Sequence, residues 1–300
     1  MAIRSIRALP FFLAAMALLA GRPMLAEIVS TALLVFPAQT EMIEYDNLYA
    51  LRRLPNYAAL RQRFSGKALE EVKAALRVVD IEESQVHEIV MGSTEKAFYG
   101  LVAGSFSGAA AMKVARQKGI WPHVADGEKI FCTKGGACFV FLEDSLAAFG
   151  SLDELKIILE TRLGASARLS PNQSLLLLMS KTDSHAPVRG VVLGGQVSGF
   201  LTDSLENPGQ WDMGLSRITA NISAIGYSVN IDGEAHVGAT VECKSPTAAA
   251  LVAQMLGALG SVQSVASRTG STALEMPFQN LRATAAGNEV DLKMDAPVPN

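Results

Sequence analysis

Two separate stretches of the chain repeat the same succession of a strand pattern, a serine and an alanine-rich helical pattern. The stretches are Gly100–Ala115 and Gly238–Ala253. At an offset of 138 residues they agree at six positions, which are Gly100/Gly238, Ser107/Ser245, Ala110/Ala248, Ala111/Ala249, Val114/Val252 and Ala115/Ala253. A serine just before a helical pattern is typical of a helix N-cap. The recurrence predicts a tandem duplication, with one α+β domain that contains two similar strand–helix units as the alternative.

The order of predicted elements in each half is strand–helix–strand–strand–helix–strand. This order predicts an α+β fold of antiparallel sheets with helices on one face. The clearest strand pair is 221–231 with 234–243, because Asp232-Gly233 between them is a strong hairpin-turn signal. A further strand is predicted at 31–36. The predicted segments are a signal peptide (1–26), a first half (27–164), a connector (165–186) and a second half (187–300).

The first 26 residues have the layout of a secretory signal. Arg4 and Arg7 precede an apolar run from Ala8 to Ala20, and Ala26 is a small residue suited to cleavage. The alternative is an uncleaved membrane anchor, and both interpretations place the remaining chain outside the cytoplasm, secreted or in the periplasm. No later apolar run has the length of a membrane span, so we expect no integral span in the mature chain.

Removal of the leader makes the chain more acidic. Without residues 1–26 the chain has 23 basic and 29 acidic residues, and its net charge changes from −3 to −6. Because phosphate backbones repel an acidic protein, this balance disfavours nucleic acid as a partner.

Cys132 and Cys138 flank a five-residue turn that contains Gly135-Gly136, between two strand patterns. A hairpin with this turn would place the two sulfur atoms opposite each other. In an oxidising compartment we therefore expect a disulfide, with two half-buried thiols as the alternative. Cys243 is left unpaired and is expected to be a buried thiol.

The sequence contains no motif that predicts catalysis. Its four histidines lack paired-ligand spacing for a metal, and no nucleophile elbow, dinucleotide fingerprint or phosphate loop is complete. We accordingly predict no catalytic residue, no metal ligand and no cofactor. Acid/base carboxylates that are distant in sequence cannot be recognised in this way, so an extracytoplasmic hydrolase stays open.

The stretch from Asp46 to Lys67 departs from the acidic average, because it carries five basic residues and one acidic residue. Tyrosine and arginine together are enriched at protein interfaces. The predicted binding residues are Tyr49, Arg52, Arg53, Tyr57 and Arg61. The alternative is an amphipathic helix whose leucines pack in the core and whose arginines face solvent.

These patterns favour a secreted or periplasmic, non-catalytic binding protein whose partner is an unknown protein or cell-envelope component. Two alternatives stay open. One is a carrier that holds an apolar ligand between the two halves, since 49% of the residues are hydrophobic. The other is the hydrolase.

The cysteine prediction can be checked directly. Peptide mapping of secreted protein without reductant should recover Cys132 and Cys138 in one linked species, because the hairpin brings them together in an oxidising compartment. Alkylation of both as free thiols would contradict it.

Overall fold

The computed structural model describes residues 25–58, 67–203, 218–269 and 279–297. The strands, in chain order, are β1 (Met42–Asn47), β2 (Val86–Ser93), β3 (Phe98–Gly104), β4 (His123–Ala125), β5 (Glu128–Cys132), β6 (Cys138–Glu143), β7 (Leu146–Gly150), β8 (Val188–Leu193), β9 (Ile222–Ile231), β10 (Glu234–Cys243), β11 (Gln279–Ala286) and β12 (Glu289–Pro297). The bounded helices are α1 (Leu25–Val35), α2 (Leu48–Leu51), α3 (Lys67–Val78), α4 (Gly108–Gln117), α5 (Leu152–Leu163), α6 (Gln173–Lys181), α7 (Gln196–Asp203) and α8 (Pro246–Thr269). A 3-10 turn spans Glu83–Gln85.

All twelve strands belong to one sheet in the order β11-β12-β10-β9-β8-β1-β2-β3-β7-β6-β5-β4, and each neighbouring pair is antiparallel. Strands from 27–164 occupy one side of the sheet and strands from 187–300 occupy the other. The two sides meet where β1 pairs with β8, from Met42↔Val192 to Asp46↔Val188. The α+β class and the antiparallel sheet are thus confirmed.

The element order of the first half recurs in the second. Each half has a three-strand meander (β1-β2-β3 and β8-β9-β10) with helix after its first strand and again after its third. Both aligned serines cap helices: the Ser107 hydroxyl accepts the Ala110 N–H at 3.3 Å and the Ser245 hydroxyl accepts the Ala248 N–H at 3.1 Å. A tandem origin of this recurrence stays a prediction.

The face of the sheet that carries Tyr45 and Leu101, here face 1, supports one continuous apolar core. Helices α1, α5 and α6 pack on it. The core includes Val191 and Ala224 from the second half beside Ile43 from the first. Apolar burial on face 1 therefore continues across the β1–β8 junction.

The opposite face, face 2, carries two separate apolar clusters. Helices α3 and α4 cover the first, which includes Ile89 and Val102. Helices α7 and α8 cover the second, which includes Val192 and Val241. The strand between them is β1.

Helices therefore lie on both faces of the central strands rather than on one face as predicted. The reason is visible in β3 and β7, where consecutive residues are buried, so that each face needs its own cover. In the outer strands of the second half, a helix covers one face of the sheet only, as predicted. In β10 and β12 the face 1 positions, such as His236 and Asp291, are exposed, and the apolar positions face α8.

Of the predicted strand 31–36, residues 31–35 form the end of α1 and Phe36 follows that helix. The buried positions Ile28, Val29, Ala32 and Val35 follow the 3–4 residue spacing of one helix face. The predicted connector 165–186 contributes α6, whose Leu175 and Leu178 are fully buried in the face 1 core.

The structure joins Cys132 and Cys138 by a disulfide across the β5–β6 hairpin, where the two residues are direct cross-strand partners. Their Cα atoms lie 4.0 Å apart. Cys138 is buried at the margin of the face 1 core, and Cys243 is a buried free thiol.

One glycine allows β3 to approach the turn before β2. A Cβ atom at Gly104 would lie 1.9 Å from the carbonyl oxygen of Gln85, which already accepts the Ser105 N–H at 2.8 Å. Any side chain at this position must displace backbone.

We therefore expect Gly104→Ala to lower the free energy of unfolding by about 2 kcal/mol or more. Gly199→Ala in α7 is the matched control, because a Cβ atom there meets nothing within 4 Å. It should raise stability by roughly 0.5–1 kcal/mol through the better helix propensity of alanine. Urea unfolding measures both variants, and equal stabilities would contradict the close approach.

Candidate functional site

The residues predicted to bind a partner lie where β1 ends. The Asn47 side chain accepts the Ala50 N–H at 2.9 Å and begins α2. Leu48 then enters the core while Tyr49 points outward with 47% of its surface exposed. The short helix thus separates a buried residue from an exposed aromatic one.

Two of the predicted residues are half-buried and hydrogen-bonded within the protein. The Arg52 guanidinium donates to the carbonyl oxygens of Glu83 and Ser84 at 2.8 and 3.3 Å. The Tyr57 hydroxyl donates to the Glu83 carboxylate at 2.7 Å, and the buried Lys73 ammonium lies 3.3 Å from the same carboxylate. Arg52 and Tyr57 therefore fasten the segment after β1 to the turn before β2.

The other described pair, Tyr49 and Arg53, stays at the surface. The Arg53 Cζ lies 4.3 Å from the centroid of the Tyr49 ring, and its Nη2 donates to the Tyr49 hydroxyl at 2.5 Å. The His87 ring lies 5.5 Å from the Tyr49 ring. Arg61 lies outside the described residues. The structure thus groups Tyr49, Arg53 and His87 into one exposed cation–aromatic surface.

A second polar cluster, which the sequence analysis missed, lies under the junction of the two halves. Glu44 and Asp46 alternate along β1 with the apolar residues of face 1 and therefore project from face 2. The Tyr227 hydroxyl on β9 donates to the Glu44 carboxylate. We call Glu44, Asp46 and Tyr227 the acidic seam. Glu44 and Asp46 lie between the two apolar clusters of face 2, and Tyr227 belongs to the second of these clusters.

Burial dominates the electrostatics of the acidic seam. It raises the pKa of Glu44 against the opposing effect of the Tyr227 hydrogen bond. Burial, followed by the charge of Glu44, raises the pKa of Asp46 well above its ordinary value. Asp46 is only 9% exposed, and no described residue donates a hydrogen bond to its carboxyl group. Burial thus shifts the pKa values of both carboxyl groups upward, toward their protonated forms.

The sequence did contain a signal for the seam. Residues 41–46 read Glu-Met-Ile-Glu-Tyr-Asp within a predicted strand, and period 2 places Glu44 and Asp46 on one face. The missing information was that this strand lies in the centre of the sheet. An acidic face is ordinary on an outer strand and unusual on a central one.

Across the described ranges, no group of three histidine, cysteine or acidic residues is arranged to hold a metal ion. The nearest approach is His236, whose Nδ1 and Nε2 each lie 2.7 Å from a carboxylate oxygen, of Asp295 and Asp232 respectively. These carboxylates meet opposite edges of the ring, so the three groups cannot share one ion. The two hydrogen bonds raise the pKa of His236.

Two pockets bear on the carrier alternative. One is lined by residues such as Tyr45 and Met179, the other by residues such as Leu48 and Lys73. Each has a cavity volume of about 10 Å³, which is room for about one water molecule. Ligand pockets typically have volumes of roughly 300–1,000 Å³, so neither pocket supports a carrier.

None of the helices within the described ranges combines the length and apolar character needed to cross a bilayer.

Comparison with known proteins adds a fold but no activity. No family model and no curated protein matches the sequence. Crystal forms III, I and IV of TP0453 are similar in structure, with TM-scores of 0.51, 0.51 and 0.50 at 11%, 12% and 11% identity. The matches cover 89%, 87% and 89% of this chain and 94%, 90% and 93% of the TP0453 chains. At such low identity this similarity shows the α+β fold alone.

The acidic seam generates a pH prediction. Above the ordinary carboxyl pKa of about 4, the unfolded chain loses protons that folded Glu44 and Asp46 retain. Stability should therefore fall as pH rises from that value to the raised pKa values of the folded state. The facing side chains from β2 and β8 are uncharged (Ile89, Met91, Val188), and Tyr227 on β9 is a neutral donor.

Asp46→Asn should reduce this fall in stability with rising pH, because asparagine does not ionise. At pH 7 it should raise the free energy of unfolding by about 1.4 kcal/mol for each unit by which folding has raised the Asp46 pKa. Asp291→Asn, at an exposed carboxylate on β12, is the control. Denaturant unfolding between about pH 4 and pH 8 measures the effect. Parallel curves for wild type and Asp46→Asn would refute it.

Proposed function

We propose that this protein is an extracytoplasmic, non-catalytic binding protein, secreted or periplasmic, and that the Tyr49–Arg53 surface contacts an acidic partner. The leader sequence supports the compartment, and a disulfide between Cys132 and Cys138 fits an oxidising environment. The partner is a protein or another cell-envelope component.

The observation that carries the proposal is the exposed stacking of Arg53 on Tyr49. An arginine that is already stacked and hydrogen-bonded loses less conformational freedom when it binds a partner than a free arginine does. Its guanidinium has five N–H donors, of which the Tyr49 hydroxyl uses one. The remaining donors suit a carboxylate, which accepts two parallel hydrogen bonds from a guanidinium.

The contacts of Arg52 and Tyr57 within the protein narrow the proposed binding surface to Tyr49 and Arg53. Both residues contact Glu83 or its carbonyl group, so they hold α2 against the turn before β2. They position the Tyr49–Arg53 surface and need not touch the partner. The carrier and hydrolase alternatives lack a supporting observation of this kind among the described residues.

The test compares the double variant Tyr49→Ala/Arg53→Glu with Lys244→Glu, a charge reversal at an exposed site in the second half. The full chain is immobilised, and envelope proteins are captured and quantified by mass spectrometry. We expect the double variant to lose at least one captured protein by about tenfold and the control to retain it. Poly-L-glutamate should compete for that capture and poly-L-lysine should not.

Melting temperatures serve as the folding control. The double variant should melt close to wild type because both side chains are exposed. Arg52→Glu should melt lower, since it removes two hydrogen bonds to carbonyl groups and places a charge beside Glu83. Unchanged capture by the double variant would contradict the proposal that this surface contacts the partner.

A further inference from the structure

The two edge strands of the sheet, β11 and β4, have different surroundings. At the β11 edge, α8 packs closely: a Cβ atom at Gly260 would lie 2.9 Å from the carbonyl oxygen of Leu281. At the opposite edge, β4 pairs with β5 and has no second strand neighbour among the described residues. The β4 edge is therefore the more open of the two.

The most exposed large apolar side chains of the described residues lie at this open edge. Trp121, two residues before β4, is 84% exposed, and Val124 within β4 is 70% exposed. Ile120, the residue before Trp121, packs against the α3–α4 cluster and anchors the chain there. An exposed tryptophan on an anchored segment is typical of a contact with a partner.

The backbone of β4 also has free hydrogen-bonding groups. Asp126 and Gly127 have positive φ values of 50° and 81° and form a two-residue hairpin turn between Ala125 and Glu128. In such a hairpin the residues that flank the turn exchange hydrogen bonds, and the next pair does not. That next pair is Val124↔Lys129. The N–H and C=O groups of Val124 therefore point away from β5, toward the free edge.

The charges near this edge are mainly positive. Lys118 pairs with Asp80, and Glu128 lies 3.6 Å from Arg162. The exposed charged residues of the 113–129 segment without an ion pair to another described residue are Lys113, Arg116, Lys129 and Asp126. The segment that leads into the edge and forms it thus carries three such cations and one such carboxylate, in a chain whose total charge is negative.

We propose that the β4 edge binds an extended acidic segment of a partner protein, which pairs with Val124 and covers Trp121. Backbone hydrogen bonds at a sheet edge supply pairing, while the side chains supply selectivity. Pro122, on the same edge as Val124, has no N–H group, so pairing is confined to about two residues. Trp121 and the cations carry the remaining recognition.

A second copy of this chain fits the edge less well. Two-fold pairing of β4 with itself would bring together two segments that both carry more unpaired cations than carboxylates, and like charges across an interface are destabilising. An acidic segment avoids this repulsion. The site is separate from the Tyr49–Arg53 surface and does not depend on it.

The experiment uses the full chain with Trp211→Phe, which leaves Trp121 as its only tryptophan. The probe is a six-residue peptide that alternates valine with aspartate and glutamate, and its counterpart carries lysine at the charged positions. We expect the acidic peptide to shift the Trp121 emission to shorter wavelength and to bind at least about tenfold more tightly than the lysine peptide. Lys129→Glu should reverse this preference.

Variants of the edge and control variants elsewhere are compared by the fluorescence anisotropy of the fluorescein-labelled acidic peptide. Trp121→Ala should weaken it about tenfold, whereas Leu163→Ala, at another exposed apolar residue, and the Tyr49→Ala/Arg53→Glu variant should bind normally.

Equal affinity for both peptides, no binding at ~1 mM peptide, or an unchanged affinity in Trp121→Ala would overturn the proposal. Sedimentation that shows a dimer lost in Trp121→Ala would overturn it in favour of a second copy.

Discussion

The antiparallel pairing of β1 with β8 is the interaction on which the rest of the structure depends. Among the described residues it is the one ladder that joins strands of the first half to strands of the second. Because β1 also pairs with β2, it has no free edge and both of its faces are covered. Each residue of β1 therefore has a paired strand on either side, and the core that the two halves share passes through this strand.

The two faces of β1 differ in the side chains that they bury. On face 1, Tyr45 is buried and donates to Glu88 at 2.9 Å, while the Arg189 guanidinium of β8 lies 4.8 Å from its ring centroid. On face 2, burial of Glu44 and Asp46 opposes folding unless protons remain bound. The hydrogen bond from Tyr227 to Glu44 crosses β8 and links the two halves. Face 1 of the junction thus combines the continuous apolar core with the contacts of Tyr45 to Glu88 and Arg189, whereas face 2 carries the acidic seam.

Local features of this fold could be predicted from sequence, whereas features that depend on distant contacts could not. The caps at Ser107 and Ser245 lie three residues before the N–H groups they accept, and both were predicted. Tyr227 and Glu44 are 183 residues apart, so no local pattern relates them.

The same distinction explains the binding surface and the first helix. Arg53 lies four residues after Tyr49 and could have been paired with it, but the bond from Arg52 to Glu83 spans 31 residues. The helical spacing of α1 begins at Leu25. The predicted strand 31–36 includes only Ala32 and Val35 of the four buried positions on the apolar face of α1, and it leaves out Ile28 and Val29, which complete the helical spacing.

The divided core of face 2 makes the stiffness of the sheet depend on the direction of bending. The two clusters share no buried residue, so a bend at β1 that moves them apart need not separate apolar partners. A bend in the opposite sense must separate Ile43 from Val191 within the continuous core of face 1. Hydration of that apolar surface is unfavourable. Apolar contacts thus oppose bending in one sense more than in the other, and Glu44 and Asp46 lie on the side with fewer such contacts.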